Sequence, residues 1–286
     1  DALSQITPLL CKMYPNGSAD VNHFHSAGGM PVVISELLSA GLLHEDVDTI
    51  MGKGLHNYIK EPHLKDGKLD FKTSTGKSRN TDVISSVQNP FSHEGGIKVL
   101  KGNIGRSVIK TSALKSEHRV ITAPAKVFLS QEALKEAFQK DELNMDFIAV
   151  LPYQGPKANG MPELHGLLPS MGVLQDRGFK VAIITDGRMS GASGKVASAI
   201  HLCPEAKDGG VISKIIDGDI ISLDCNNGTL KVDVEESVLT NRLEKIDGLK
   251  NSTFGFGREL FALMRKSVNS AEEGACSFEL PGDEKC

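Results

Sequence analysis

The sequences FIAVLPYQGPKANGMPELH (147–165) and KVAIITDGRMSGASGK (180–195) decide how this chain is interpreted. Each begins with a short apolar run, typical of a buried strand, and passes directly into a Gly-rich segment. Glycine accepts positive φ and lets the backbone approach a ligand closely. We therefore expect two loops at strand ends, where binding and catalytic residues often lie, although simple tight turns are the alternative.

The surrounding sequence predicts a β-rich domain. Asn-Gly at 227–228 separates two alternating runs, Asp219–Asp224 and Thr229–Val234, which predicts a hairpin. A helix is predicted over Gln131–Lys140 with Ser130 as its N-cap, and a last amphipathic helix over Gly257–Val268. Further short strands are predicted at Ile97–Leu100, Val108–Thr111, Arg119–Ile121, Lys126–Leu129, Phe147–Pro152 and Lys180–Thr185. Many short strands with few helices indicate a barrel-like domain.

The first part of the chain has a different sequence pattern. The run Val32–Leu38 follows Pro31 and closes at Gly41, which predicts a helix, and residues 60–90 are polar and turn-rich. We expect a domain boundary or a long surface excursion there. The predicted fold class is α/β: the tail of an α/β domain (1–85), a β-barrel-like domain with flanking helices (90–245), and a C-terminal helix and tail (250–286).

Composition excludes several classes of protein. The 32 Lys+Arg and 36 Asp+Glu give a net charge of −4, which does not suit a nucleic-acid scaffold. The sequence has no apolar run long enough to span a membrane and no recognisable signal peptide. The five cysteines are odd in number and widely spaced, so we expect reduced thiols in a cytoplasmic protein. A zinc or iron–sulfur site built from these cysteines alone is not expected.

Two familiar catalytic motifs are absent from the Gly-rich segments. Counting back from Gly194-Lys195 places Met189 where a P-loop needs its first glycine, and Val196 follows the lysine. Ser190 and Ser193 both lack the glycine spacing of a nucleophile elbow. Nucleotide binding and ordinary serine hydrolysis are therefore not favoured.

The same two segments resemble the sugar-acid and dihydroxy-acid dehydratases. GPKANGMPELH (155–165) and TDGRMSGASGKV (185–196) match the family's signature, supported by ADVNHFHSAGGM (19–30), ELLSAGLLHEDV (36–47) and FSHEGGIKVLKGNIGRSVIKTSA (91–113). The dihydroxy-acid branch typically has GGPGMPE where this chain has ANGMPE. The resemblance is therefore stronger to the phosphogluconate branch, and it covers residues 1 to about 280.

The resemblance implies a swivelling β/β/α type for the barrel-like domain, a hydro-lyase activity, and roles for two residues. Glu163 matches the family's carboxylate ligand to Mg²⁺ or a similar divalent ion, and hard cations prefer such oxygen ligands. Ser190 matches the serine proposed as the general base, and a nearby cation would lower the pKa of its hydroxyl. The implied reaction removes water from 6-phospho-D-gluconate and yields 2-dehydro-3-deoxy-6-phospho-D-gluconate, as part of gluconate metabolism.

The family's second Lewis acid is an iron–sulfur cluster, expected here to be 4Fe-4S. Its cysteine ligands lie in a preceding part of the protein, and no cysteine here stands in such a context. We therefore expect this chain, which starts at Asp1, to be a catalytically incomplete C-terminal portion. A homodimer, a small phosphorylated sugar acid as the partner, no nucleic acid and no membrane are also expected.

The remaining candidates are substrate-binding residues. Arg106 and Lys195 are basic residues in Gly-bearing loops and could bind phosphate, although solvated or ion-paired surface cations are the alternative. Arg188 could bind the substrate carboxylate or hold the Asp186 turn, and His165 could support Glu163. Asn159 and Ser193 complete the set.

Alternative functions stay open at this point. One is a dehydratase acting on another sugar acid or dihydroxy acid, and another is a non-catalytic fragment that binds a metal or a partner. A serine hydrolase using Ser190 is disfavoured, because no His or Asp stands in a recognisable sequence relation to that serine.

Overall fold

The structure is a computed structural model that describes residues 1–190, 194–244, 255 and 257–278. The chain divides into two compact units, Asp1–Gly96 and Ile97–Cys286. The predicted domain division at 85–90 stays a prediction, since compactness alone does not define where an evolutionary domain begins.

The first unit combines short helices with two small antiparallel sheets. The predicted helix at Val32–Leu38 is confirmed as part of a longer helix, and a small core of Ala27, Val32, Val83 and Ile84 lies within this unit. Its helices are α1 (Ala2–Ile6), α2 (Val21–Ser26) and α3 (Gly29–Ser39), and its strands are β1 (Asp48–Thr49), β2 (Gly52–Lys53), β3 (Lys60–Lys65) and β4 (Lys68–Thr73). β3 and β4 form a mostly exposed hairpin in the polar segment where we expected a surface excursion.

The second unit contains a closed eight-stranded β-barrel, which confirms the predicted barrel-like domain. Its strands are β5 (Ile97–Gly102), β6 (Gly105–Lys110), β7 (Val120–Val127), β8 (Phe147–Leu151), β9 (Val181–Thr185), β10 (Ala197–Cys203), β11 (Ile220–Asp224) and β12 (Thr229–Val232). Around the barrel they follow the order β10-β6-β5-β12-β11-β7-β8-β9. Closure leaves the barrel without a free sheet edge.

Pairing within the barrel is parallel from β7 through β8 and β9 to β10, and it is antiparallel elsewhere except between β12 and β5, which also pair in parallel. The Asn-Gly turn joins β11 to β12 as predicted, with Asp224 opposite Thr229. β7, β8, β9 and β10 pair in parallel, because helices and loops cross between them. Two predictions are corrected: Arg119–Ile121 and Lys126–Leu129 belong largely to one continuous strand, β7, and β10 was missed.

The alternation of strand residues creates two cores. Ile148 and Val150 of β8 point into the barrel core, whereas Phe147, Ala149 and Leu151 of the same strand belong to an outer core. Successive side chains of a strand point to opposite faces of the sheet. A strand that is buried on both faces therefore has a continuous run of apolar residues. Every residue of β8 and β9 is buried, which fixes the positions of the loops that follow them.

Helices cover the outer core and extend beyond it. They are α4 (Gln131–Gln139), α5 (Pro156–Asn159), α6 (Leu168–Asp176), α7 (Glu236–Asn241) and α8 (Ala262–Ser267). The prediction for α4 is confirmed, including its N-cap, since the Ser130 hydroxyl accepts a hydrogen bond from the Ala133 amide. The final helix is shorter than predicted and starts only at Ala262. No helix in the described ranges is both long and apolar enough to cross a membrane.

Candidate active site

Asp186 holds the two Gly-rich loops together. It follows β9 directly, and its carboxylate accepts hydrogen bonds from the amides of Tyr153 and Gln154, which follow β8. A third bond comes from the Ala206 amide at 2.9 Å. Because β8 and β9 are parallel neighbours, both loops leave the same edge of the barrel. Burial of Asp186 raises the pKa of its carboxyl to about 6, partly offset by these amides.

The carboxylate of Glu163 lies where the two loops meet. Its Oε1 accepts hydrogen bonds from the amides of His165 (3.0 Å) and Ser190 (2.8 Å), and its Oε2 pairs with Arg188 at 2.8 Å. The Nε of Arg188 also donates to the Met161 carbonyl. Arg188 therefore bridges two points of the 155–165 loop, and its roles as a substrate ligand or as a support of the Asp186 turn stay predictions.

Ser190 contacts a histidine that no local sequence pattern pairs with it. Its Oγ lies 3.2 Å from Nδ1 of His165, with either atom able to carry the shared proton. The sequence-based statement that no histidine stands in relation to Ser190 is thus corrected. The two residues are brought together because Glu163 Oε1 binds both of their amides.

Lys110 brings a second cation to this site, and the imidazole of His201 lies within the electrostatic reach of both cations. Lys110, at the end of β6, donates from Nζ to the Ser190 carbonyl at 2.8 Å. Burial lowers the pKa of its ammonium, and the negative charge of Glu163 opposes that shift. Burial also lowers the pKa of His201, and the positive charges of Arg188 and Lys110 add to the effect. The site is therefore a small cationic field around one carboxylate.

The two predicted phosphate ligands are engaged elsewhere. Arg106 pairs with Glu272 at 3.1 Å, and Lys195 pairs with Asp176 at 2.9 Å. All four side chains are about half exposed, and no hydrogen bond or ion pair joins either cation to Glu163 among the residues that the structure describes. Their role as phosphate ligands stays a prediction. Ser193 lies outside the described residues.

The described residues do not fit a divalent metal ion or an iron–sulfur cluster on their own. No group of three or more His, Cys, Asp or Glu side chains in the described part of the chain is placed to hold a metal. Glu163 already binds two amides and a guanidinium. Cys203 and Cys225 are buried, and burial raises the pKa of both thiols. The metal role of Glu163 stays a prediction.

A protein-family model matches the part of the chain that contains the two Gly-rich loops. The model described as "Dihydroxy-acid/6-phosphogluconate dehydratase C-terminal" matches residues 82–275, which is more than half of the chain. The corresponding N-terminal description matches residues 1–58. The chain belongs to this dehydratase family. The Gly-rich loops and the barrel all lie within the matched C-terminal region.

Curated members of the dehydratase family are similar over nearly the whole chain. Phosphogluconate dehydratase of Escherichia coli (strain K12) is 54% identical over 273 residues, covering 96% of this chain and 45% of the relative. The enzyme of Helicobacter pylori (strain J99) is 54% identical over 286 residues, covering 97% and 47%. Dihydroxy-acid dehydratase of Acetivibrio thermocellus is 37% identical, covering 96% and 46%. The chain thus spans somewhat less than half the length of these relatives.

Sequence reasoning missed Lys110 and Gln131. Gln131, at the start of α4, donates from Nε2 to the Glu163 carbonyl at 3.0 Å. Lys110 lies in the stretch 91–113 that carries part of the family resemblance, yet nothing in its spacing pointed to Ser190. Both contacts depend on how the barrel strands are ordered, so no local pattern could indicate them.

Proposed function

We propose that this chain carries the proton-abstracting part of a sugar-acid dehydratase that removes water from 6-phospho-D-gluconate. The single observation that carries this proposal is the Ser190–His165 contact beside Glu163. It joins the two segments that resemble the family most strongly. The identity to phosphogluconate dehydratases, at 54%, exceeds the 37% to a dihydroxy-acid dehydratase, which supports the phosphorylated substrate.

In this proposal Ser190 is the base that removes the proton from C2 of the substrate. A serine hydroxyl is a weak acid, so it needs help to lose its own proton. With its own proton on Nε2, His165 accepts the hydroxyl proton at Nδ1. The positive charges of Lys110 and Arg188 stabilise the resulting oxyanion, because charge pairing is strong in a partly desolvated site.

Removal of the C2 proton leads to loss of the 3-hydroxyl group. The C2–H bond breaks, its proton passes to the serine oxygen, and its electron pair forms the C2–C3 double bond as the C3–O bond breaks. The leaving 3-hydroxyl group takes the proton that His165 holds and departs as water. The enol that forms tautomerises to the 2-keto-3-deoxy acid. Glu163 fixes the position of Ser190 through its backbone amide, and Arg188 holds Glu163 in that orientation.

The cofactors and assembly stay predictions from the family resemblance. A Lewis acid, when bound, would help the 3-hydroxyl to leave, but the described residues would supply at most Glu163 to it. The homodimer and the cytoplasmic location are likewise proposals.

The test compares Ser190→Ala with wild type in the active enzyme that contains this chain. Formation of the 2-keto acid is followed with 6-phosphogluconate and with gluconate. We expect loss of general-base catalysis to lower kcat by about 10²–10⁴-fold. An unchanged rate would reject Ser190 as the base, and faster turnover of gluconate than of 6-phosphogluconate would favour another sugar acid.

A hydrolase and a non-catalytic module make different predictions. The Ser190–His165 pair would also suit acyl transfer, but no carboxylate hydrogen-bonds the His165 ring among the described residues, as a catalytic triad requires. Covalent labelling of Ser190 by a fluorophosphonate probe would favour the hydrolase. If the complete, cofactor-loaded enzyme did not dehydrate the acid, this would favour the non-catalytic module that binds a metal or a partner.

A further inference from the structure

We infer that Arg258 and Arg265 form the site for the phosphate group of the substrate, in a groove beside the Glu163 loop. This inference rests on the proposed dehydration of a phosphorylated sugar acid. The groove has a volume of about 530 Å³ and lies between the 156–161 segment and the segment around α8.

The groove adjoins the candidate active site through Met161. Met161 lines it, and the carbonyl of Met161 accepts a hydrogen bond from Arg188, which in turn pairs with Glu163. Met161 has a φ of 52°, a left-handed conformation that is uncommon for a residue with a side chain. Met161 therefore belongs both to the groove wall and, through its carbonyl, to the hydrogen bonds of Arg188.

The two arginines offer charge that the described residues leave unpaired. No ion pair holds Arg258 or Arg265 in the described ranges, unlike Arg106 and Lys195. An acidic neighbour is Glu259, where the Gly255 amide and, to a smaller extent, the charge of Arg265 lower the pKa of the exposed carboxyl. Arg265 donates one bond from Nη2 to the Arg258 carbonyl at 2.8 Å, which holds the two residues together. Guanidinium groups bind phosphate through two parallel hydrogen bonds, so a pair of arginines suits a phosphate monoester dianion.

Asn159 adds a group that fits a sugar hydroxyl. Its Nδ2 donates to Gln154 Oε1 at 3.0 Å, and Gln154 uses its own Nε2 on the Pro152 and Leu129 carbonyls, which fixes both amide orientations. The Asn159 Oδ1 is buried with no hydrogen-bond partner. An unpartnered buried acceptor is costly, and a small shift of the Asn159 side chain, which lines the groove, would let a hydroxyl group of the carbon chain satisfy it.

Apolar side chains complete the groove. Phe261, Met264 and Val268 line it beside the two arginines. Their presence lowers the local dielectric and strengthens the attraction between guanidinium and phosphate. The groove therefore combines two cations, one hydroxyl acceptor and an apolar wall, which together suit a phosphorylated polyhydroxy acid.

The decisive experiment has two readouts. Binding of inorganic phosphate to this chain is measured by titration calorimetry, and KM for 6-phosphogluconate and for gluconate is measured in the active enzyme. We expect each of Arg258→Ala and Arg265→Ala to weaken phosphate binding about 10- to 100-fold, the range for a charged hydrogen bond. KM for 6-phosphogluconate should rise by a similar factor, while gluconate turnover stays unchanged.

Matched variants keep the inference falsifiable. Lys266→Ala removes an exposed cation from the same helix outside the groove lining and should leave both readouts unchanged. Arg258→Lys and Arg265→Lys keep the charge and should recover part of the affinity, which also covers the case in which an alanine variant fails to fold. Unchanged phosphate binding in both alanine variants, or losses confined to Arg106→Ala and Lys195→Ala, would overturn the inference. If the wild-type enzyme dehydrates neither acid, the proposed function fails, whereas calorimetry still decides the phosphate site.

Discussion

The Oγ of Ser190 lies 3.2 Å from the Nδ1 of His165, and the two residues reach this contact from different loops of the barrel. Both backbone amides bind the same oxygen of Glu163. The carboxylate thus acts as a template that sets the distance between a hydroxyl and an imidazole. The contact is the structural basis for the first prediction.

Replacing His165 should impair turnover more than binding. We expect His165→Ala to lower kcat by about 100-fold or more, because the serine loses its proton acceptor, with KM changed little. His165→Gln keeps an amide able to accept a hydrogen bond but cannot hold the proton, so it should be nearly as slow. Steady-state kinetics of both variants checks this, and a selective rise in KM would indicate a substrate-binding role instead.

Replacing Arg188 should reduce activity with little loss of stability. The Arg188 and Glu163 side chains are 47% and 37% exposed, and such ion pairs contribute at most about 1 kcal/mol to folding. Arg188→Gln should nevertheless slow turnover at least tenfold, because Glu163 loses its orientation. Arg188→Lys should not restore the rate, since one ammonium cannot reach both the Met161 carbonyl and Glu163. Unfolding in urea combined with kinetics separates the two effects, and a large fall in stability would contradict the surface assignment.

Glu205 should make the folded chain less stable as pH rises. Its carboxylate accepts hydrogen bonds from the amides of Lys157 and Ala158, yet burial raises its pKa from 4.5 to about 7. Between these two pKa values the folded state keeps a proton that the unfolded state has lost. Stability therefore falls as pH rises from about 4.5 to 7, by an amount on the order of 3 kcal/mol, and levels off above that.

The measurement compares wild type with Glu205→Gln by urea unfolding at pH 5 and at pH 8. The variant should lose less stability than wild type over this interval, since its amide does not titrate. Glu142→Gln removes an exposed glutamate and should leave the pH dependence as in wild type. If the free energy of unfolding depended on pH in the same way for wild type and Glu205→Gln, burial would not shift the pKa of this carboxyl.

Gly102 should be required for barrel closure. A Cβ at this position would lie 1.7 Å from the Leu230 carbonyl oxygen, where β5 meets β12. Both atoms belong to or attach directly to backbone, so the strands must separate, and we expect Gly102→Ala to destabilise the unit by about 3 kcal/mol or more. Thermal or urea unfolding provides the test.

The control is Gly172→Ala in α6, where the added methyl would meet nothing within 4 Å. Alanine is favoured over glycine in helices by about 1 kcal/mol, so this variant should be neutral or slightly more stable. Equal effects of the two substitutions would mean that the close approach at Leu230 is relieved without loss of packing.

Local patterns predicted many of the elements. Ser130 gave the N-cap of α4, and the Asn-Gly turn gave the β11–β12 hairpin, because capping and turn geometry depend on a few neighbouring residues. The continuous apolar runs of β8 and β9 predicted buried strands followed by loops. The prediction of two separate strands within β7 was wrong. A proline such as Pro124 is typical of a strand end, but here the strand continues through it, with Pro124 opposite Ile220.

The sequence alone indicated Glu163 and Ser190 as candidates, because both lie in Gly-rich segments that resemble the dehydratase family. Only the tertiary structure decided that His165 faces Ser190, that Lys110 reaches the same loop, and that Arg106 and Lys195 pair with acidic side chains elsewhere. These contacts join residues that are distant along the chain, and they exist because β6, β8, β9 and β10 occupy set places in a closed barrel. A local pattern carries the preference of a segment for strand, helix or turn, whereas the closure of the barrel sets which loops end at the same edge.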